Sequence, residues 1–247
     1  MKRKLHWRLR SLGCEILFED DLLLALDKPP NLLVLPDRFN KALPNLYTTL
    51  NEELGSVFVV HRIDKETSGV VVFAKTADAH AHLNKQFEER TVEKVYLALV
   101  VGEPHHPLGT IDLPLSETER GVVRVDRKRG KESVTDYRVV EQFKGYALLE
   151  LKPQTGRQHQ IRVHLLAMGT PVMADPLYGD GKGFYLSAVK PRYRSEGEEK
   201  PLLNRTALHA ASLSISHPTT GQRMAFAAPL PKDMSSVLKY LRKFRKF

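Results

Sequence analysis

The chain has 247 residues, 42% of them hydrophobic, enough for one large domain or two closely packed lobes with a proper core. A formal net charge of +9 points to a polyanionic partner, since lysines and arginines gain binding free energy from phosphate contacts and counterion release; a membrane surface is the bland alternative. The single cysteine, Cys14, excludes an intramolecular disulfide and any multi-cysteine zinc site, and no run of roughly 18 apolar residues is present to span a bilayer.

The opening, MKRKLHWRLRSLG, carries five basic residues by Arg10 and lacks the apolar core of a secretory signal, so residues 1–15 are expected to form a basic extension and the protein to be cytoplasmic. LLLALDK, VFVV and GVVVFAK read as strands. ADAHAHLNKQFEER then places Ala79, Leu83 and Phe87 four apart, which predicts an amphipathic helix. KVYLALVV is again a strand, with Tyr96 on the face opposite Val95, Leu97 and Leu99. VRVDRKRGK, with five basic residues that include Arg127, Lys128 and Arg129, lies between strand-like segments and should form an exposed hairpin or loop suited to RNA.

After the strand YALLELK, TGRQHQIRVHLLAMG opens as a turn and continues at helical period through Ile161, Leu165 and Met168, and Gly169 is well suited to end it. Residues 179–201 are rich in glycine and charge and suggest a surface insertion. ASLSISH and RMAFAAP should pair across PTTG as a hairpin. Residues 232–247 carry Tyr240, Phe244 and Phe247 at helical spacing, with five basic residues in LKYLRKFRKF, which reads as a docked helix or tail. Six or more strands with these helices predict an α+β fold with a central mixed, largely antiparallel sheet, flanking helices and a catalytic cleft.

HRIDKETSG, His61 to Gly69, is the most informative stretch, because it sets one carboxylate, Asp64, in a tight polar turn just before a buried strand. One activated aspartate suffices for glycosidic-bond chemistry, and Arg162 in the second block could pair with it, lowering a pKa that burial alone would raise. Arg62, two residues earlier, shares a face with Asp64 if the stretch is extended. The structural alternative is that Asp64 caps the turn before Thr67 and Ser68, and that Tyr96 and Arg162 are a core tyrosine and a surface helix arginine. Neither His105 with His106 nor His159 with His164 has partners at metal-ligand spacing, and GDGKG lacks the spacing of a phosphate-binding loop.

The two blocks resemble the HRLDxxTSG and GRxHQIRxHL signatures of the RluA family of pseudouridine synthases. The resemblance runs from ILFEDDLLLALDKPPNLLVLP near Ile16, through KVYLALVVG and VMADPLYG, to Pro231. It implies a catalytic domain over 16–231 that isomerises uridine in structured RNA, in large-subunit rRNA or tRNA, with no cofactor and no metal, as a monomer, with neither DNA nor membrane as partner. It assigns catalysis to Asp64, Tyr96 and Arg162. Arg62 would fill the stack vacated by an extruded base, and Lys94, Arg157 and His159 would touch phosphate or base. Three departures stand out: HRID for HRLD, GRQHQIR for GRTHQIR, and Ala174 where a glycine is usual, a position whose backbone dihedrals alanine does not favour. The competing reading is a noncatalytic RNA-binding or ribosome-assembly protein on the same fold.

Overall fold

The computed structural model describes residues 2–247, with side chains from Trp7 onward; Met1 and the side chains of residues 2–6, part of the expected basic extension, lie outside the described residues. In chain order the elements are α1 (Lys2–Ser11), β1 (Glu15–Glu19), β2 (Leu23–Lys28), α2 (Leu46–Leu54), β3 (Phe58–Val59), β4 (Ser68–Ala74), α3 (Ala77–Glu88), β5 (Glu93–Val101), β6 (Leu108–Asp112), β7 (Leu115–Glu117), β8 (Val123–Val125), β9 (Val134–Phe143), β10 (Tyr146–Pro153), α4 (Gln160–Ala167), β11 (Leu208–Ser216), β12 (Arg223–Ala227) and α5 (Lys232–Phe244). The chain forms two compact units, one holding residues up to Lys94 together with Ala210–Pro229, the other Val95–His209 with Leu230–Phe247.

In the first unit β2 pairs antiparallel with both β1 and β4, and β3 adds to β4. All seven residues of β4 are buried, which is why SGVVVFA reads as a continuous apolar run rather than an alternating one. Helix α3 starts at Thr76, whose hydroxyl accepts from the Ala79 N–H at 3.2 Å, and buries Ala79 and Leu83 against Val70, Val72 and Ile215. Helix α2, which the sequence did not single out, is capped in the same way by Asn45. Strands β11 and β12 pair antiparallel from Ser212 with Ala227 to Ser216 with Arg223, the hairpin expected across PTTG.

In the second unit β10 lies between β5 and β9, and β6 follows β9, all antiparallel, while β7 and β8 form a separate two-stranded hairpin. Helix α5 buries Met234, Val237, Leu238 and Leu241 in this unit's core, and its first turn is tied down by a bidentate ion pair from Arg205 to Asp233 at 2.7 and 2.9 Å. Residues 179–201 are mostly exposed and irregular, yet Phe184 and Val189 reach the core, and Phe184 makes a bridge to Leu203. The amphipathic reading of α4 needs correction. Every residue from Gln160 to Leu165 is buried, polar ones included, because the polar side chains find partners inside the protein.

Candidate active site

The Asp64 loop is clamped from both ends. Lys28, the last residue of β2, is fully buried, and its ammonium donates to the carbonyls of Pro29, Leu32 and Lys65 at 2.9, 2.8 and 3.1 Å. A buried charge is tolerated only when so satisfied, and this one fixes the backbone immediately after Asp64. At the other end Gly69 has φ +112°, and a Cβ there would stand 2.1 Å from the Ala210 carbonyl oxygen, so no other residue fits. Between them the Thr67 N–H bonds to the main-chain carbonyl of Asp64 at 3.2 Å and closes the turn. The Asp64 side chain sits half-buried on this fixed loop, while Arg62 is exposed.

His61 anchors the loop's start. Its Nε2 accepts from the Val72 N–H at 2.9 Å, so the imidazole is neutral with its proton on Nδ1, and the ring stacks on Phe87 at 5.2 Å. Burial, aided by the nearby Lys94 charge, pushes the His61 pKa down to about 3. Lys94 is itself half-buried; burial and then Arg90 bring its ammonium down to about 8, within physiological reach of losing its charge. Tyr96 is partly buried and packs against the second unit's core, a placement that serves the core reading and a substrate contact alike.

Arg162 is not a surface arginine. It is 3% exposed, and its fork grips Asp175, with Nε on Oδ2 and Nη2 on Oδ1, both at 2.7 Å. Oδ1 also accepts from the N–H groups of Leu177 and Tyr178 at 2.9 and 3.0 Å. Burial alone would raise the Asp175 pKa; the Arg162 hydrogen bonds and charge, with the two N–H donors, outweigh it and hold the carboxyl below its ordinary value. The Arg162 guanidinium also lies over the Tyr178 ring, 5.0 Å from its centre. Ala174 has φ +55°, the left-handed conformation that the usual glycine would adopt freely, and this turn aims Asp175 at the arginine.

Around Arg162 the helix start is fixed by a closed polar network. Gln160 accepts at Oε1 from the Thr155 hydroxyl and the Arg157 N–H, and donates from Nε2 to the Val134 carbonyl and Thr135 Oγ1, all between 2.8 and 3.0 Å. His164 Nε2 lies 3.0 Å from the Leu113 carbonyl and must donate to it, so its Nδ1 accepts from the Thr135 hydroxyl, and burial lowers its pKa. His159, left-handed at φ +52°, shares a 2.9 Å hydrogen bond through Nδ1 with the Tyr178 hydroxyl. That hydroxyl accepts from the Val123 N–H of β8 at 3.0 Å, so Tyr178 joins the arginine's helix to the basic hairpin.

Arg127, Lys128 and Arg129 are exposed in the turn that follows β8, where the Asp126 carboxylate accepts from the N–H groups of Lys128 and Arg129. Arg157 is exposed, with its Nε on the Glu132 carbonyl at 3.1 Å. Sequence reasoning missed Lys28, Asp175 and Tyr178. A lysine closing an apolar strand just before Pro-Pro, and the block DPLYG, were the available signals. Among the described residues no cluster of three or more His, Cys, Asp or Glu side chains could hold a metal ion, and no helix is long and apolar enough to cross a membrane.

Residues 22–167 match the RNA pseudouridylate synthase family. The chain is 39% identical over 242 residues to the ribosomal large subunit pseudouridine synthase D of Nitrosomonas europaea, covering 94% of this chain and 66% of that one, so it spans about two thirds of that relative's length. It is 37% identical over 217 residues to the dual-specificity RNA pseudouridine synthase RluA of Escherichia coli, covering 87% of this chain and 92% of that enzyme. Among solved structures, the human RNA pseudouridylate synthase domain containing 4 superposes with a TM-score of 0.72 at 26% identity and 98% coverage of both chains.

Proposed function

Because the chain belongs to the RNA pseudouridylate synthase family, we propose that it isomerises one or a few uridines in large-subunit rRNA or tRNA to pseudouridine, acting as a cytoplasmic monomer on folded RNA. The observation that carries this reading is the Asp64 loop: a half-buried carboxylate on a backbone held by Lys28 at one end and by Gly69 at the other. A reacting group needs this combination of access and fixed aim.

Isomerisation breaks the bond from the anomeric carbon to the uracil nitrogen, turns the base, and rejoins the sugar to a ring carbon. No redox change or phosphate transfer occurs, so the reading assigns no cofactor. Asp64 acts at the sugar, either attacking the anomeric carbon or taking a proton from the neighbouring sugar carbon through a glycal. Arg162, whose Nε and Nη2 are held on Asp175, takes a supporting role in catalysis, and Tyr96 meets the target base or sugar. Arg62, exposed two residues before Asp64, takes the place of the extruded base or binds the flanking phosphate. Lys94, Arg157, His159 and the Arg127–Arg129 turn bind the strand. A relative named as a ribosomal large subunit synthase supports large-subunit rRNA as a substrate, and one named as a dual-specificity RNA synthase is compatible with a second RNA.

The test is turnover on a uridine-labelled stem-loop. Asp64→Asn should abolish isomerisation while RNA affinity stays within a few-fold, since an amide keeps the shape but cannot serve as nucleophile or base. Wild-type protein that binds the RNA and leaves every uridine unchanged would instead establish the noncatalytic RNA-binding reading. Mapping pseudouridines in RNA from cells with and without the gene identifies the target.

A further inference from the structure

Beside the β7–β8 hairpin lies a groove of about 420 Å³, lined by Leu115, Ser116, Glu117, Val123, Arg129, Lys131 and the Gly156–Gln158 turn. We propose that it holds one nucleotide of the substrate strand other than the uridine being modified, an assignment that rests on the RNA-modifying reading above.

The groove's chemistry selects this ligand. Leu115 and Val123 are buried at 3% and 4% exposure and give it an apolar floor, which a base or ribose can cover and inorganic phosphate cannot. Arg129, Lys131 and Arg157 contribute three positive charges against the one negative charge of Glu117, so the lining favours an anion by a net two. The volume falls in the range of sites for small organic ligands, room for one splayed-out nucleotide and not for a duplex.

The walls are built rather than incidental. Leu115 and Lys131 exchange both main-chain hydrogen bonds, at 2.9 and 2.8 Å, which fixes where the lysine leaves the hairpin. Asp126 closes the turn after β8 through the N–H groups of Lys128 and Arg129 and ties it to β7 through the Ser116 hydroxyl at 3.1 Å. Across the groove, Arg157 is held by its Nε on the Glu132 carbonyl and by its N–H on Gln160. The Tyr178 hydroxyl, on the Val123 N–H, fastens the floor to the residue over which Arg162 lies. A strand seated here would be held on the hairpin and on the helix start at once.

The experiment measures RNA affinity as a function of salt for the full chain, its Lys131→Ala variant, and Lys144→Ala, an exposed lysine away from the groove. Lys131→Ala should weaken binding several-fold near physiological salt and lower the salt slope by about 0.7 to 1, the signature of one lost phosphate contact, while Lys144→Ala matches wild type. RNA carrying 4-thiouridine at one position at a time should cross-link to the groove from a single position, and uridine monophosphate at 1 mM should not displace the RNA. Identical slopes for the two lysine variants, cross-links from every position or none, or displacement by the free mononucleotide would each overturn the assignment. Turnover of uridine by wild-type protein with identical lysine slopes sinks this inference alone. A Lys131-dependent slope without any uridine turnover sinks the function and leaves the groove standing.

Discussion

The pair Arg162 and Asp175 allows stability and catalysis to be separated. Both side chains are buried, so breaking the pair from either side leaves an uncompensated charge in the interior, at a cost of about 3–5 kcal/mol. In Asp175→Asn the Oδ1 position keeps its Nη2, Leu177 and Tyr178 donors, but the new amide nitrogen opposes Arg162 Nε where Oδ2 accepted at 2.7 Å. In Arg162→Met the carboxylate keeps two N–H donors and loses its counter-charge. The double variant removes both faults, so the two changes should couple by about 2–3 kcal/mol in the stabilising direction. Urea unfolding of the four proteins measures this, and single-turnover isomerisation is followed alongside. Both Arg162→Met proteins should stay inactive although one regains stability, and Arg162→Lys should recover only part because an ammonium lacks the planar fork. The pH profile carries a sign. With a depressed pKa, Asp175 contributes stability above the ordinary carboxylate value and loses it as pH falls through its lower folded value; without Arg162 burial raises that pKa, so the Arg162→Met deficit should shrink in acid. Additivity within about 0.5 kcal/mol would refute the ion-pair account.

Activity on a short stem-loop should survive thorough EDTA treatment, apart from magnesium needed to fold the RNA, because the chemistry proposed uses only protein side chains; strict zinc or manganese dependence would favour a nuclease-like enzyme. RNA affinity should fall as pH rises through about 8, where Lys94 loses its charge, and Lys94→Arg should flatten that fall. Superimposable pH profiles would remove Lys94 from the RNA contacts. Ala174→Val should cost more than about 2 kcal/mol in urea unfolding, since a β-branched residue resists the left-handed conformation at φ +55°, while Ala174→Gly should lie within about 1 kcal/mol of wild type.

Elements with a strong period were legible in the sequence. Strands β2, β4, β5 and β10 show as apolar runs, and α3 shows through Ala79 and Leu83. Strand β9, VTDYRVVEQF, was not, because only Thr135 and Phe143 are buried and the positions between them, charged ones included, are half-buried or exposed, and its partner β6 has one buried residue. Helix α2 has a good cap but a weak stripe, with Thr49 and Glu53 among its buried residues. A buried glutamate hides a helix face from any hydrophobic pattern, and here Arg8 supplies its partner at 2.9 Å.

The site was legible by chemical type and illegible by pairing. Asp64 and Arg162 belong to sequence blocks whose residue types announce charge chemistry, yet nothing local says that Arg162 meets a carboxylate thirteen residues on. That partner depends on a left-handed alanine and two backbone donors, which no propensity scale reports. Lys28 is a sharper case, since a lysine before Pro-Pro looks like a solvated strand end and proves fully buried on three carbonyls. The signature blocks therefore mix two kinds of residue. Asp64 and Arg62 retain solvent access on their loop, as the proposed contact with RNA requires. Lys28, Gly69, Gln160 and Asp175 are buried with every described bond spent on backbone or on side chains inside the protein, so their substitution should act on rate through the aim of their neighbours rather than through contact with the substrate.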